Sequence, residues 1–321
     1  MDRRTFLSGM MAGAALSAFP LASACAATFP RKQIQLIVPY SAGGGTDLVA
    51  RAFADAANKV LPKAIGVVNR TGGAGAVGLS AIATARPNGY TIGMGTAEIT
   101  MLPHMGLASF KATDFTPLAL LNADPAAITV RKDAPWETLG EFLAFAKAHP
   151  GEVRIGNSGT GAIWHLAAEA LGKQTGITFN NVPFDGANPA VTSLLGGHIE
   201  AVGVSPAEVS NFVASGDLRM LGIMADARLA KFPNVPTMKE SGVDLSIGTW
   251  RGIVMPNGVP DDAKAVLEEA TAKAAADPAF KEQLAKMNLN YRFLPAKDYG
   301  ELIIHDDKFF GDLMADLGLA K

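Results

Sequence analysis

Short apolar runs recur along this chain, each followed by a glycine-bearing loop and then by a stretch with helical spacing. The first run is Ile34 to Val38, and the loop Pro39-Tyr40-Ser41-Ala42-Gly43-Gly44-Gly45-Thr46-Asp47 carries it into an amphipathic helix ending near Val60. Ile65 to Val68, the loop Gly72-Gly73-Ala74-Gly75 and a helix to about Ala85 repeat the unit, and Asn88-Gly89 turns the chain into a third strand, Tyr90 to Met94. Units of this kind predict a mainly parallel sheet with helices on both faces.

A longer β-prone stretch, Phe115 to Lys132, is broken at Asp124-Pro125 and reads as a crossover into a second domain. There the alternation restarts with a helix over Thr138 to His149, a strand at Val153 to Gly156 and the loop Asn157-Ser158-Gly159-Thr160-Gly161. A helix from Ala162 to Lys173, a strand from Phe179 to Pro183 and the loop Phe184-Asp185-Gly186-Ala187-Asn188 follow. Helix Pro189 to Leu195, strand Ile199 to Val204, helix Pro206 to Ala214 and strand Leu218 to Met224 complete this part. Pro233, Pro236, Pro256 and Pro260 punctuate a return, and helical stretches at Asp261 to Met287 and Ala296 to Leu317 pack back on the first domain. The expected division is an export signal at 1–26, domain one at 27–125, domain two at 126–226, and a return to domain one over 227–321. Two crossings between domains make a hinged cleft.

Composition narrows the function. Hydrophobic residues are 49% and charged residues 18% of 321, enough for two sizeable cores. A net charge of −2 with no basic run offers no nucleic-acid footprint. At the N-terminus Arg3-Arg4-Thr5-Phe6-Leu7 precedes an uncharged stretch ending Ala24-Cys25-Ala26, the order of a twin-arginine export signal with an A-x-A exit. Cleavage after Ala26 removes the only cysteine and leaves about 295 residues, which suits two domains. Ala22-Ser23-Ala24-Cys25 also weakly matches a lipoprotein box, the alternative in which Cys25 carries a lipid.

The candidate chemistry lies in the strand-to-helix loops. A helix start exposes unpaired N–H groups and a partial positive charge, and glycine lets an anion approach the backbone. Three such loops, Gly43–Asp47, Gly72–Gly75 and Ser158–Gly161, favour an anion-binding cleft at the strand carboxyl ends. Enzyme readings fit less well. Gly73, Gly75 and Gly78 match a G-x-G-x-x-G spacing, with Glu98 further on as the acidic residue, but the pattern is weak in so glycine-rich a chain. Gly156-Asn157-Ser158-Gly159-Thr160 misses the G-x-S-x-G nucleophile elbow. An exported hydrolase using Ser158 and His165 is one rival reading; a carboxylate sensor for a signalling partner is another. The five histidines lack paired metal-ligand spacing, and neither metal nor cofactor is expected.

In order along the chain, these motifs resemble the substrate-binding receptors of tripartite tricarboxylate transporters, the Bug family. The resemblance rests on Pro39-Tyr40-Ala42-Gly43-Gly44-Asp47; Asn69-Arg70-Gly72-Gly75-Gly78; Pro87-Asn88-Gly89-Tyr90-Thr91; and Ser158-Gly159-Gly161 with His165-Leu166. It continues through Pro183-Phe184-Gly186, Leu195-Gly196-Gly197, Pro233-Val235-Pro236-Thr237-Glu240-Gly242 and Trp250-Gly252-Pro256-Gly258-Pro260. The resemblance implies a type II-like, two-domain periplasmic-binding-protein (Venus flytrap) fold. It also implies a periplasmic monomer that captures a small organic carboxylate for membrane transporter subunits. Carried over, it places Tyr40, Ser41, Gly43, Gly44 and Asp47 on one lip of the cleft. Ser158, Thr160, Gly161, His165, Phe184, Gly186 and Ala187 would line the other. Asp47 beside an anion is expected to brace the loop. Asp185, where the family is often basic, and the bulky Trp164 make a tricarboxylate less attractive than a mono-, di- or aromatic acid if both face the cleft.

Overall fold

The computed structural model describes residues 29–321, so the expected export signal at 1–26, with Cys25, lies outside the described residues. The first pass runs β1 (Ile34–Val38), α1 (Gly45–Ala57), β2 (Ile65–Asn69), α2 (Ala76–Ala83), β3 (Thr91–Thr96) and β4 (Phe115–Pro125). The second domain follows as β5 (Ala127–Arg131), α3 (Leu139–Ala148), β6 (Arg154–Asn157), α4 (Ile163–Thr175), β7 (Asn180–Pro183), α5 (Ala187–Leu195), β8 (Ala201–Val204), α6 (Pro206–Ser215) and β9 (Leu218–Ile223). Then β10 (Gly248–Pro256) re-enters the first domain, followed by α7 (Asp261–Ala276), α8 (Pro278–Lys286), β11 (Tyr291–Pro295) and α9 (Ala296–Leu317). Among the described residues no helix is long and apolar enough to cross a membrane.

Local chemistry sets several of these boundaries. Thr138 caps α3, its hydroxyl accepting from Glu141 N–H while Glu141 reaches back to Thr138 N–H. Pro278 has no N–H to continue α7, so the single helical stretch expected over 261–287 is two helices, with Asp277 capping the second through Ala279 N–H (2.9 Å). β10 and β11 have no counterpart among the expected strands. β10 is buried along nearly its whole length, so it shows no alternation to read.

The first sheet has the order β11-β4-β10-β3-β1-β2 and the second β7-β6-β8-β5-β9. Parallel pairing holds for β1 with β2 and β3, and for β6 with β7 and β8; the other pairs are antiparallel. Both sheets are therefore mixed, which corrects the expectation of mainly parallel sheets. The reason lies in the crossing strands, which enter each sheet directly and need no helical crossover to pair.

The two crossings lie side by side. Ala126 N–H donates to Ile247 O (2.9 Å), and β10 pairs with β4 from Gly248 opposite Pro125 onward. A Cβ on Gly248 would sit 2.3 Å from Asp124 O, so only glycine admits this approach. The segment 227–247, placed by sequence with the returning part of the chain, keeps its backbone bonds to β9: Ile223 N–H to Pro236 O and Met238 N–H to Ile223 O. One apolar cluster, with Val49, Phe53, Leu267 and Phe280, fills the α1–α7–α8 side of the first sheet. Another runs from Leu79 and Tyr299 into Phe142, Leu166 and Val204 of the second domain. The apolar interior is thus continuous across the cleft, and the two domains are closed on each other.

Candidate functional site

The loops leaving β1 and β6 face each other at the strand carboxyl ends. On the first lip, Asp47 in the first turn of α1 folds back under its own loop. Its carboxylate accepts from Gly43 N–H (2.9 Å), Asn69 Nδ2 (2.9 Å) and Arg51 Nε and Nη2 (2.8 and 2.9 Å). Burial alone would raise its pKa, but the bonds from Arg51, Gly43 and Asn69 outweigh that and hold it below the usual carboxylate value. Asn69 also donates to Tyr40 O (2.9 Å), which fixes the loop to β2. Asp47 therefore braces the lip and is turned away from the cleft.

On the second lip, Asn157 Oδ1 accepts from Gly159 N–H (3.0 Å), and His165 Nδ1 accepts from Gly161 N–H (3.2 Å). His165 Nε2 lies 3.5 Å from Glu169 on the far side of its ring. The imidazole is thus spent on the loop that it follows, and no bond joins it to Ser158.

The lips meet directly. Ser41 N–H donates to Asp185 O (3.1 Å), Asn188 Nδ2 donates to Ala42 O (3.1 Å), and Gly186 packs on the Ser41 side chain. Gly161 lies against Met105 and Leu107 of the first domain. Between the lips is a partly open cavity of about 20 Å³, room for one water by volume. Tyr40 and Gly44 from the first loop, and Ser158 and Ala187 from the second domain, line it. Trp164 lines it too. Thr160 and Phe184 instead border a recess of about 680 Å³ at the cleft mouth, together with the exposed Asp185. Ser41, Gly43, Asp47, Gly161, His165 and Gly186 hold the lips in place and do not line the cavity.

Sequence reasoning missed the charged groups of this cavity: Glu98, Glu208 and Arg251. Arg251, on β10, is 1% exposed. Its guanidinium bonds Thr46 Oγ1 (3.1 Å), Asn122 Oδ1 (2.7 Å), Asp124 Oδ2 (2.8 Å) and, across the cleft, Glu208 Oε1 (3.3 Å). Glu208 accepts also from Ser205 N–H (3.0 Å) at the start of its own helix and from Gly45 N–H (3.1 Å) at the start of α1. Burial pushes its carboxyl pKa up, against the pull of Arg251 and these N–H groups. Glu98, just beyond β3, makes the reciprocal reach: its Oε1 accepts from Ile163 N–H (2.9 Å) at the start of α4, and its Oε2 from Thr96 Oγ1. Each domain thus places one carboxylate on a helix N-terminus of the other. The pattern Ser205-Pro206-Ala207-Glu208 carried a helix-start signal for one of these groups. Glu98 drew notice only as part of a dinucleotide pattern, which the fold does not support. No group of three or more His, Cys, Asp or Glu among the described residues is placed to hold a metal.

Residues 49–319 match the family profile described as tripartite tricarboxylate transporter family receptor. The chain is similar to the UPF0065 protein in the gbd 5′ region of Cupriavidus necator, 32% identical over 326 residues, covering 100% of this chain and 99% of the relative. Among solved structures, it resembles a ligand-free TctC solute-binding protein from Polaromonas at 45% identity and a TM-score of 0.66, covering 90% of this chain and 100% of that one. It also resembles MatC from Rhodopseudomonas palustris with bound malate, at 25% identity and a TM-score of 0.82, covering 89% and 99%. The family and the solute-binding neighbour are receptors, not enzymes.

Proposed function

This chain belongs to the tripartite tricarboxylate transporter receptor family, and on that premise we propose that it is a periplasmic receptor, exported by its N-terminal signal, that captures a small organic carboxylate between its two domains and delivers it to a tripartite tricarboxylate-type transporter. The observation that carries the reading is the cavity walled by the strand-end loops of both domains and closed by bonds across them. Tyr40, Gly44, Ser158 and Ala187 contact the ligand, with Thr160 and Phe184 at its entrance. Asp47 and His165 hold the two loops in shape.

Capture proceeds by closure about the paired crossing strands. An open form exposes the loops, and the ligand favours the closed form by bonds made only when both lips are in reach. Two comparisons support this. The 45%-identical ligand-free protein superposes less well than the 25%-identical malate-bound one, the order expected when rigid domains differ in their mutual rotation. The cavity of about 20 Å³ is also smaller than a malate-sized acid, so a ligand enters only after the lips part. Trp164 in the cavity wall and Asp185 at the mouth favour small acids of low charge over tricarboxylates.

A thermal-shift screen against mono-, di- and tricarboxylates, aromatic acids and amino acids tests the reading. A ligand present at about a hundred times its Kd adds about 2.7 kcal/mol of stability, a visible shift. No shift with any acid would sink the receptor reading, and citrate binding far more tightly than the smaller acids would overturn the preference for low charge.

A further inference from the structure

The charges around the cavity are unbalanced. Two carboxylates, Glu98 and Glu208, line it with one guanidinium, Arg251, which also pairs with Asp124 behind the wall, and all four side chains are at least nine-tenths buried. Arg251 is shared between Asp124 and Glu208. Glu98 forms no ion pair among the described residues; its neighbours are the Ile163 N–H, the Thr96 hydroxyl and the Tyr40 side chain. A carboxylate buried without a cation is costly, so a cation brought to Glu98 is favoured there.

The groups near Glu98 have matching polarity. Tyr40 commits its hydroxyl proton to Ala74 O (2.9 Å), so the tyrosine oxygen offers lone pairs to its other neighbours. Ser158 lines the same cavity from the opposite domain. Glu98, Tyr40 and Ser158 together supply three acceptors, as many as an ammonium group has N–H bonds. Glu98 also fills the N-terminus of α4 through Ile163, which closes that end to a ligand carboxylate. The cationic side of the cavity is the Arg251 and Gly44–Thr46 wall.

We propose that the ligand of this receptor is a zwitterion, with a protonated amine held by Glu98, Tyr40 and Ser158 and a carboxylate directed to the Arg251 wall. The proposal rests on the receptor reading above and names its ligand class. An added dianion brings two negative charges to walls already short of cations, whereas a zwitterion supplies the cation that Glu98 lacks.

The test is isothermal titration calorimetry with acids paired by their amine: β-alanine with propionate, γ-aminobutyrate with butyrate, and aspartate with succinate. At least one amine-bearing member should bind at least tenfold more tightly than its partner. Glu98→Gln keeps an oxygen for Ile163 N–H, so closure survives while the charge is removed. That variant should erase the tenfold preference through weaker binding of the amine, with the amine-free acid unchanged or bound more tightly. Wild-type protein that prefers amine-free acids, or a Glu98→Gln variant that retains the preference, overturns the zwitterion proposal and leaves the receptor standing. Binding of neither class overturns both.

Discussion

Gly45→Ala separates closure from folding. Gly45 is the first residue of α1, where helical backbone suits alanine, and in a helix interior the exchange favours alanine by about 0.8–1.0 kcal/mol. In the closed form, however, the added methyl stands 2.7 Å from Arg251 Nη2 and 2.9 Å from Glu208 Oε1. Arg251 has little room to yield, since Thr46, Asn122 and Asp124 hold its guanidinium from the same domain. Glu208 belongs to the other domain and yields by opening. Losing one of its two bonds, to Gly45 N–H or to Arg251, costs the closed form about 1.5–3 kcal/mol, the range for one hydrogen bond to a charged group. The closed-to-open ratio then falls roughly ten- to 150-fold, and ligand affinity falls with the closed fraction, by at most that factor, if only the closed form holds ligand. Small-angle scattering should report a larger radius of gyration for the unliganded variant, and calorimetry the weaker binding, with thermal unfolding little changed. A Gly45→Ala protein as compact as wild type and with the same affinity would refute the idea that Glu208 latches the domains.

Three further outcomes follow from the charged groups of the two lips and the cavity. Arg251→Met leaves Asp124 and Glu208 without their cation and should cost about 3–5 kcal/mol, a fall in Tm on the order of 10 °C; recovery in Arg251→Met/Asp124→Asn would tie the loss to the stranded charge, and a loss below about 1 kcal/mol would contradict it. Asp47→Asn removes the charge that Arg51, Gly43 N–H and Asn69 stabilise. Because the Asp47 pKa is depressed, its contribution is present above the ordinary value of 3.8 and is lost as pH falls through the depressed one. The Tm gap between wild type and the variant should therefore close on acidification; a gap that widens is the wrong sign. Glu208 has the opposite sense. Its pKa is raised in the closed form, so its contribution to closure is complete below the ordinary 4.5 and fades as pH rises through the raised value. Scattering should show the unliganded protein opening with pH in wild type but not in Glu208→Gln, and an acid-induced opening would contradict the assignment.

What the sequence disclosed and what it withheld divide along a physical line. The loops at Gly43–Asp47 and Ser158–Gly161 were legible because each is a local device, a strand end, a turn and a helix start within a few residues. Asp47 as a brace belongs to the same class, since its partners Gly43 and Arg51 lie within one helical turn of it. The expected crossover at Asp124-Pro125 was legible for the same reason, a proline breaking a long apolar run. The strand that carries Arg251 was not, because β10 is buried on both faces and bounded by glycine and proline.

The cavity charges were hidden for a deeper reason. Glu98, Glu208 and Arg251 lie on three separate passes of the chain, and each has a bland local explanation: a residue after a strand, a helix-start glutamate, an arginine in a strand. Only the closed arrangement turns them into one object. Ile163 N–H and Gly45 N–H, the groups that motif reasoning reserves for a ligand's anion, are already bonded to Glu98 and Glu208. A binding site whose anion cradles are filled by its own side chains selects by what those side chains still lack. For Glu208 that need is met by Arg251 (3.3 Å); for Glu98 no cation among the described residues stands opposite. The glycine loops thus point to the class of receptor, and on the zwitterion proposal the residues reaching across the cleft set its ligand.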